Sequence, residues 1–179
     1  MKSSLFIAIE MEELPASFID LAQQGLEAGI KKLCASVDHG TIQSWASPRH
    51  IAVSVADLPS HTPTVENLVT GPPEKAAFRN GEPTKAAIGF ARGKGADVSQ
   101  LQIVESKRGP VVALLVQSGG ESIIDKVAAG LEQILAQIPF KKKMKWGIGT
   151  YSWPRPVHRL IACYDNTLIP CSVFGIQSQ

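Results

Sequence analysis

Residues 122–139, SIIDKVAAGLEQILAQIP, decide how the rest of the 179-residue chain is read. Ile123, Ile124, Val127, Leu131, Ile134, Leu135 and Ile138 recur at three- and four-residue steps, which places them on one face of an α-helix. Ser122 stands before the stripe as an N-cap, and Asp125 falls in the first turn, where negative charge suits the helix dipole. Pro139 stops the helix. One apolar face needs a second layer to bury it, and strands on both sides supply candidates. Upstream, residues 102–105 and 110–117 read as a β-hairpin around Ser106-Lys107-Arg108-Gly109, ended by Gly119-Gly120. Downstream, residues 157–164 and 168–174 read as two strands around Asp165-Asn166. The closing segment, residues 175–179, offers no capping element, as expected of a piece of something longer.

The first sixty residues supply the rest of the layer. Residues 4–9 form an apolar strand, broken at Leu14-Pro15. Pro15 and Ser17 open a second amphipathic helix, with Phe18, Leu21, Ala22, Leu26, Ile30 and Leu33 on one face. After an Asp38-His39-Gly40 turn, residues 41–47 and 49–56 alternate as two strands joined through Ser47-Pro48. Ile51, Val53 and Val55 then share one face, and His50, Ala52 and Ser54 the other. Residues 60–95 differ in character, with Pro63, Pro72, Pro73, Pro83 and an Arg79-Asn80-Gly81 turn signal. Two short helices are predicted there, 74–78 and 83–92, the second with Pro83 in its first turn and Ala86, Ala87 and Phe90 on its apolar face. The expected fold class is α+β: an antiparallel sheet packed against two amphipathic helices, with a short-helix insertion at about residues 60–95 outside that core.

Charge is distributed unevenly. From 133 to 164 there is no acidic residue, yet Lys141, Lys142, Lys143, Lys145, Arg155 and Arg159 stand there with His158 beside them. The remainder carries 12 basic against 16 acidic residues, so the overall charge of +2 hides a basic island on an acidic body. Such clustering creates local positive potential, which suits polyanions. Phe140, Trp146, Tyr151, Trp153 and Tyr164 are threaded through the island. Lys and Arg can meet phosphates, and planar side chains can stack on bases. Arg155 lies between Pro154 and Pro156, whose rings stiffen the segment, so its guanidinium loses less entropy on gripping an anion. A protein interface and plain solvated surface are the alternatives; Lys and Arg are expected to carry any RNA contact, and Trp146 and Trp153 to pack the fold.

Other chemistry is harder to find. Glu10, Glu12 and Glu13 read as a solvated strand end. Gly89, Gly93 and Gly95 lack the strand before and the Lys-Ser/Thr after that a phosphate loop requires. No nucleophile elbow is present, so no catalytic residue is expected. Cys34, Cys163 and Cys171 include no C-x-x-C pair, and the four His have no ligand-like spacing to them, so buried reduced thiols are expected and no metal. The apolar run at residues 5–9 is too short for a secretion signal, and no stretch approaches the ~20 apolar residues of a membrane span. A cytoplasmic location without membrane contact is expected.

Several segments together resemble the β subunit of the bacterial heterotetrameric glycyl-tRNA synthetase, in its N-terminal part. They are Glu12-Glu13-Leu14-Pro15, Ser47-Pro48-Arg49-His50-Ile51-Ala52, Gly71-Pro72-Pro73, Pro83-Thr84-Lys85-Ala86-Ala87 through Gly89-Phe90-Ala91-Arg92, Ile138-Pro139-Phe140 with Lys143-Met144-Lys145-Trp146-Gly147, and Arg155-Pro156-Val157-His158. Gly175-Ile176-Gln177-Ser178 continues the series. The chain departs from the family pattern at Glu10-Met11, where Gly-Thr is usual, at His50, where a second Arg is usual, and at Lys145, where Arg is common. Loss of that Gly bears on the backbone path, which Gly can vary more widely than Glu.

The resemblance implies a non-catalytic module, all of residues 1–179, within a longer β subunit of an α2β2 ligase that charges tRNA with glycine. It implies as partners the α subunit, tRNA(Gly) and the remaining β-subunit domains. No cofactor is expected in this fragment, ATP and Mg being used by the α subunit. The predicted RNA-binding set is Lys141, Lys142, Lys143, Lys145, Arg155, His158, Arg159 and Arg49. The alternative is a scaffold that contacts the α subunit or later β-subunit domains without touching RNA.

Overall fold

A computed structural model describes residues 3–79, 81–106, 109–147 and 151–179. Asn80, Lys107 and Arg108 of the expected turns therefore lie outside the described residues. The chain divides into two units, one of residues up to Pro63 together with Gly120–Gln179, the other Thr64–Gly119.

The first unit opens with strand β1 (Ser3–Met11), helix α1 (Ala16–Leu33) and the strands β2 (Ile42–Ala46) and β3 (His50–Leu58). This is the strand, helix and hairpin expected. Leu5, Ile7 and Ile9 of β1 and Ile51, Val53 and Val55 of β3 are fully buried on one face, following the two-residue period of the pleat.

The second unit contains β4 (Val65–Pro73), α2 (Glu74–Ala77), β5 (Phe78–Arg79), β6 (Glu82–Pro83), α3 (Lys85–Gly93), a 3₁₀ turn (Val98–Gln100), β7 (Gln102–Ser106) and β8 (Gly109–Ser118). Its main sheet has the order β4-β8-β7. Both short helices form, and the unit also takes in the hairpin read at residues 102–117. Pro83 precedes the helix instead of occupying its first turn. Thr84 is the N-cap, its hydroxyl accepting from the Ala86 N–H at 3.2 Å. Its core centres on Ala77, Ala87 and Val112, with Phe78 and Phe90 packed against them.

The chain re-enters the first unit beside its point of exit. Gly120 N–H donates to Thr62 O at 3.1 Å and Thr62 N–H to Glu121 O at 2.9 Å. Helix α4 (Ile123–Ala136) follows, then β9 (Met144–Trp146), β10 (Tyr151–Trp153), β11 (Val157–Tyr164), β12 (Thr167–Leu168), β13 (Ser172–Val173) and β14 (Ile176–Gln177). Ser122 caps α4 as expected, accepting from the Asp125 N–H. The strand read at 168–174 divides into β12 and β13, because Pro170 between them has no N–H to offer a ladder. The closing residues belong to the fold: β14 pairs with β13, and Ser178 bridges to Leu160.

The large sheet is antiparallel, in the order β12-β11-β1-β3-β2. With elements β1-α1-β2-β3-α4-β11 and strand order β11-β1-β3-β2, this is the split βαβ arrangement. Ala22, Leu26 and Ile30 of α1 and Ile123, Val127, Leu131 and Leu135 of α4 fill one core with the buried sheet face. Helix α1 lies so close to the segment leaving α4 that a Cβ on Gly25 would stand 2.7 Å from Ile138 Cγ1.

Candidate nucleic-acid interface

Three of the segments that carry the resemblance meet at one corner of the first unit. Met11 N–H donates to Arg49 O at 2.9 Å, Leu14 N–H to Pro48 O at 2.7 Å, and Glu12 N–H to Pro156 O at 3.0 Å. Arg155 Nε donates to Glu13 O at 3.0 Å and its Nη1 to Pro154 O at 2.9 Å. The strand end of β1, the β2–β3 turn and the entry to β11 are thus tied by backbone hydrogen bonds. Residues about 145 positions apart share this corner because β1 pairs antiparallel with both β3 and β11.

The predicted cations fall into three groups there. Arg159, His158 and Arg49 face carboxylates: Arg159 Nη1 lies 3.5 Å from Glu10 Oε2, His158 Nε2 3.8 Å from Glu12 Oε1, and Arg49 Nη2 3.8 Å from Glu13 Oε2. All three pairs are solvated, and the two Arg–Glu ion pairs contribute about 0–1 kcal/mol each, so they orient the guanidinium groups without saturating them; His158–Glu12 is an ion pair only when the imidazole is protonated. Arg155 and Lys143 are bound to backbone. Lys143 Nζ donates to Ala136 O at 3.0 Å, satisfying a carbonyl at the C-terminal end of α4, where positive charge is favoured. Lys141, Lys142 and Lys145 are exposed and make no hydrogen bond or ion pair with the described residues.

Strand β11 shows why two consecutive basic residues face solvent. Glu10 pairs with Arg159, but Met11 pairs with Val157, so His158 is an extra residue on its strand, a β-bulge. Val157 and Leu160 stay in the core while His158 and Arg159 between them are both exposed. The bulge falls opposite Glu10-Met11. Glu10 is not among the residues with positive φ, so the strand here needs no glycine.

The aromatic residues of the island take the packing role. Trp153 is fully buried, edge-on to Phe140 at 4.8 Å, and Trp146 meets Phe174 edge-on at 5.6 Å. Neither is a free stacking surface. Sequence reasoning missed the aromatic residues that are exposed: Phe6 and Trp45 (49% exposed) lie on the face of the large sheet away from the helices, with Leu168 also exposed. The available signal was the unbroken apolar run at residues 5–9. A strand apolar on both faces reads as covered on both.

It also missed a cavity of about 260 Å³ beside the Lys run. Pro15 and Phe18 at the start of α1, Met144, and Pro154 form its apolar lining, and Lys142, Lys143 and Arg155 its charged part. Helix α1 has no acidic residue in its first turn and no side-chain cap, so its own first turn supplies no charge against its positive end. Burial raises the Cys34 and Cys171 thiols above their usual pKa, which disfavours the reactive thiolate. Among the described residues, no group of three His, Cys, Asp or Glu is placed to hold a metal, and no helix is long and apolar enough to cross a membrane.

Comparison with known proteins gives this corner a context. The profile of the family described as glycyl-tRNA synthetase beta subunit matches residues 5–179. The glycine–tRNA ligase beta subunit of Solidesulfovibrio magneticus is 39% identical over 183 residues, covering 98% of this chain and 26% of its own length. Those of Trichlorobacter lovleyi and Geobacter metallireducens are 38% and 36% identical, covering 99% and 97% of the chain. This chain spans about a quarter of the length of each of these relatives, 26%. From Leu5 to its last residue it matches one family, and it belongs to the glycyl-tRNA synthetase β-subunit family.

Proposed function

We propose that this chain is a non-catalytic, tRNA-recognising part of a cytoplasmic glycine–tRNA ligase, with Lys141, Lys142 and Lys145 placed on tRNA phosphates and Arg155 as a fixed anchor beside them. In this reading the α subunit of an α2β2 assembly performs the ATP- and Mg-dependent charging of tRNA(Gly). The observation that carries it is that these three Lys stand exposed and unpartnered at the corner where the family segments converge. Lys143, His158, Arg159 and Arg49 are secondary, since each already has a partner. Filter binding of tRNA across a salt series tests this. Each phosphate contact contributes about 0.7–0.9 to the slope of log K against log salt, so Lys141→Ala/Lys142→Ala/Lys145→Ala should flatten it by about 2–2.7. An unchanged slope would sink the reading.

A scaffold role is the second reading, and the outward sheet face favours it. Phe6, Ala8, Ile161 and Trp45 form an apolar centre, bordered by the neutral Glu10–Arg159 pair. An apolar centre with a polar border suits protein better than a polyanion. If the α subunit covers this face, Trp45→Lys abolishes co-elution with the α subunit while tRNA binding persists.

A further inference from the structure

We propose that the cavity between the start of α1, the approach to β9 and the β10–β11 turn receives one unpaired nucleotide of an RNA strand, with the base against Phe18 and Met144 and the phosphate on Lys142, Lys143 and Arg155. The proposal rests on the RNA-binding reading above and specifies the form of RNA recognised. Three features define the ligand. The charged side is wholly cationic, which selects an anion. Arg155 is held between two prolines and by the Glu13 and Pro154 carbonyls, so it meets that anion already oriented. The other walls are a phenyl ring, a thioether and two prolines, which a bare phosphate does not need and a planar base does.

Size and form narrow the choice further. At about 260 Å³ the space is smaller than the roughly 300–1,000 Å³ of sites that enclose drug-sized ligands, so it has room for one base, with the sugar and phosphate lying outside it against the cationic side. Bases within a duplex are stacked and paired, and cannot enter a concave apolar site. Bases in loops, bulges and single-stranded ends can. The unpartnered Lys141 and Lys145 lie on either side of the lining segment 142–144, in position to meet neighbouring phosphates of the same strand.

The test is fluorescence anisotropy with the 179-residue chain, an eight-nucleotide single-stranded RNA, and the same sequence annealed as a duplex, at one fixed salt concentration. The single strand should bind more tightly. Met144→Ser and Phe18→Leu should each weaken it about fivefold or more, as expected for loss of a base-stacking contact, and leave duplex binding unchanged. Met144 is 42% exposed, so its replacement spares the core even if Phe18→Leu, which also loses the 5.3 Å ring contact with Phe140, does not fold. Equal binding of duplex and single strand, or a preference that survives Met144→Ser, would overturn the proposal. If the Lys141/Lys142/Lys145 substitutions still flatten the salt slope in that case, only the cavity assignment falls. If no RNA binds and an acidic peptide does, both readings fall.

Discussion

Phe174 should be the rare position where glycine is better tolerated than alanine. Phe174 and Gly175 are the two central residues of the turn between β13 and β14, with φ of +51° and +84°, and Val173 pairs with Ile176 across it. Two-residue hairpin turns with positive φ at both positions favour Asn-Gly or Gly-Gly, and a bulky residue there costs about 1–2 kcal/mol. The ring offsets that cost. Phe174 is 5% exposed, packed edge-on against Trp146 and tilted on Trp153 at 5.5 Å and on Tyr151 at 6.0 Å.

Removing the ring should cost about 3–5 kcal/mol whether Ala or Gly replaces it. Alanine keeps the left-handed backbone penalty of about 1–2 kcal/mol, whereas glycine loses it but gains about 0.4–1 kcal/mol of unfolded-state entropy. Phe174→Gly should therefore exceed Phe174→Ala by about 0.5–1 kcal/mol, or about 1–4 °C in Tm at 2–4 °C per kcal/mol. Within ordinary helices and strands the order is the reverse. Urea unfolding followed by tryptophan fluorescence reads the transition, since Trp146 and Trp153 both touch this ring. An alanine variant more stable than the glycine variant would refute the strained-turn argument.

Glu132→Ala should cost about 1–3 kcal/mol in the same assay, because Glu132 Oε2 accepts the Phe174 N–H at 2.8 Å; Glu132→Gln, which keeps an acceptor, should cost less. Gly29→Ala gains about 1 kcal/mol in helix propensity, but its Cβ would overlap Ile134 Cγ2 and stand 3.2 Å from Ile134 Cβ, an overpacking of about 1–3 kcal/mol. Adding Ile134→Ala should make the double mutant more stable than the two single effects sum to, and strict additivity in denaturant unfolding would count against the clash. Asp165 is held below the usual carboxylate pKa by hydrogen bonds from the Ser3 side chain and the Ser4 N–H. Its stabilisation is therefore present above the unfolded-state value near about 3.9 and is lost as pH falls through the lower folded value. Asp165→Asn, which tolerates the φ of +50°, should flatten the acid limb of a Tm-against-pH curve.

What could be read from sequence followed how much of each element is buried on a single face. Helices α1 and α4 and strand β11 were legible because a continuous face enters the core, which imposes the 3.6- or two-residue period. Strand β4 was not, because Val65–Pro73 has no fully buried position and ends in Pro72-Pro73, so burial imposed no alternation. Strands β9 and β10, three residues each, are too short to show a period. At the candidate site, the Lys cluster was visible as composition. The cavity was not, since its lining comes from residues 15–18, 142–144 and 154–155, which only the fold brings together.

The acid-free window is acid-free only along the chain. Antiparallel pairing of β1 with β11 sets Glu10 opposite Arg159, and the bulge at His158 brings that side chain out beside Glu12. Without the extra residue, alternation would turn one of His158 and Arg159 toward the core, at the cost of burying a polar or charged group. The bulge keeps both outside, but beside carboxylates that dilute their potential. The unpaired positive charge is left at Lys141, Lys142 and Lys145, and of these Lys142 lines the cavity together with the start of α1 and the fixed Arg155 guanidinium. Charge on β11 is thus partly met by carboxylates of the same corner, whereas the charge of Lys141, Lys142 and Lys145 is not, and on the proposed reading it is these three that meet RNA. Substitution at Arg159 should accordingly weaken RNA binding less than substitution at Lys142, although both lie in the same basic stretch of sequence.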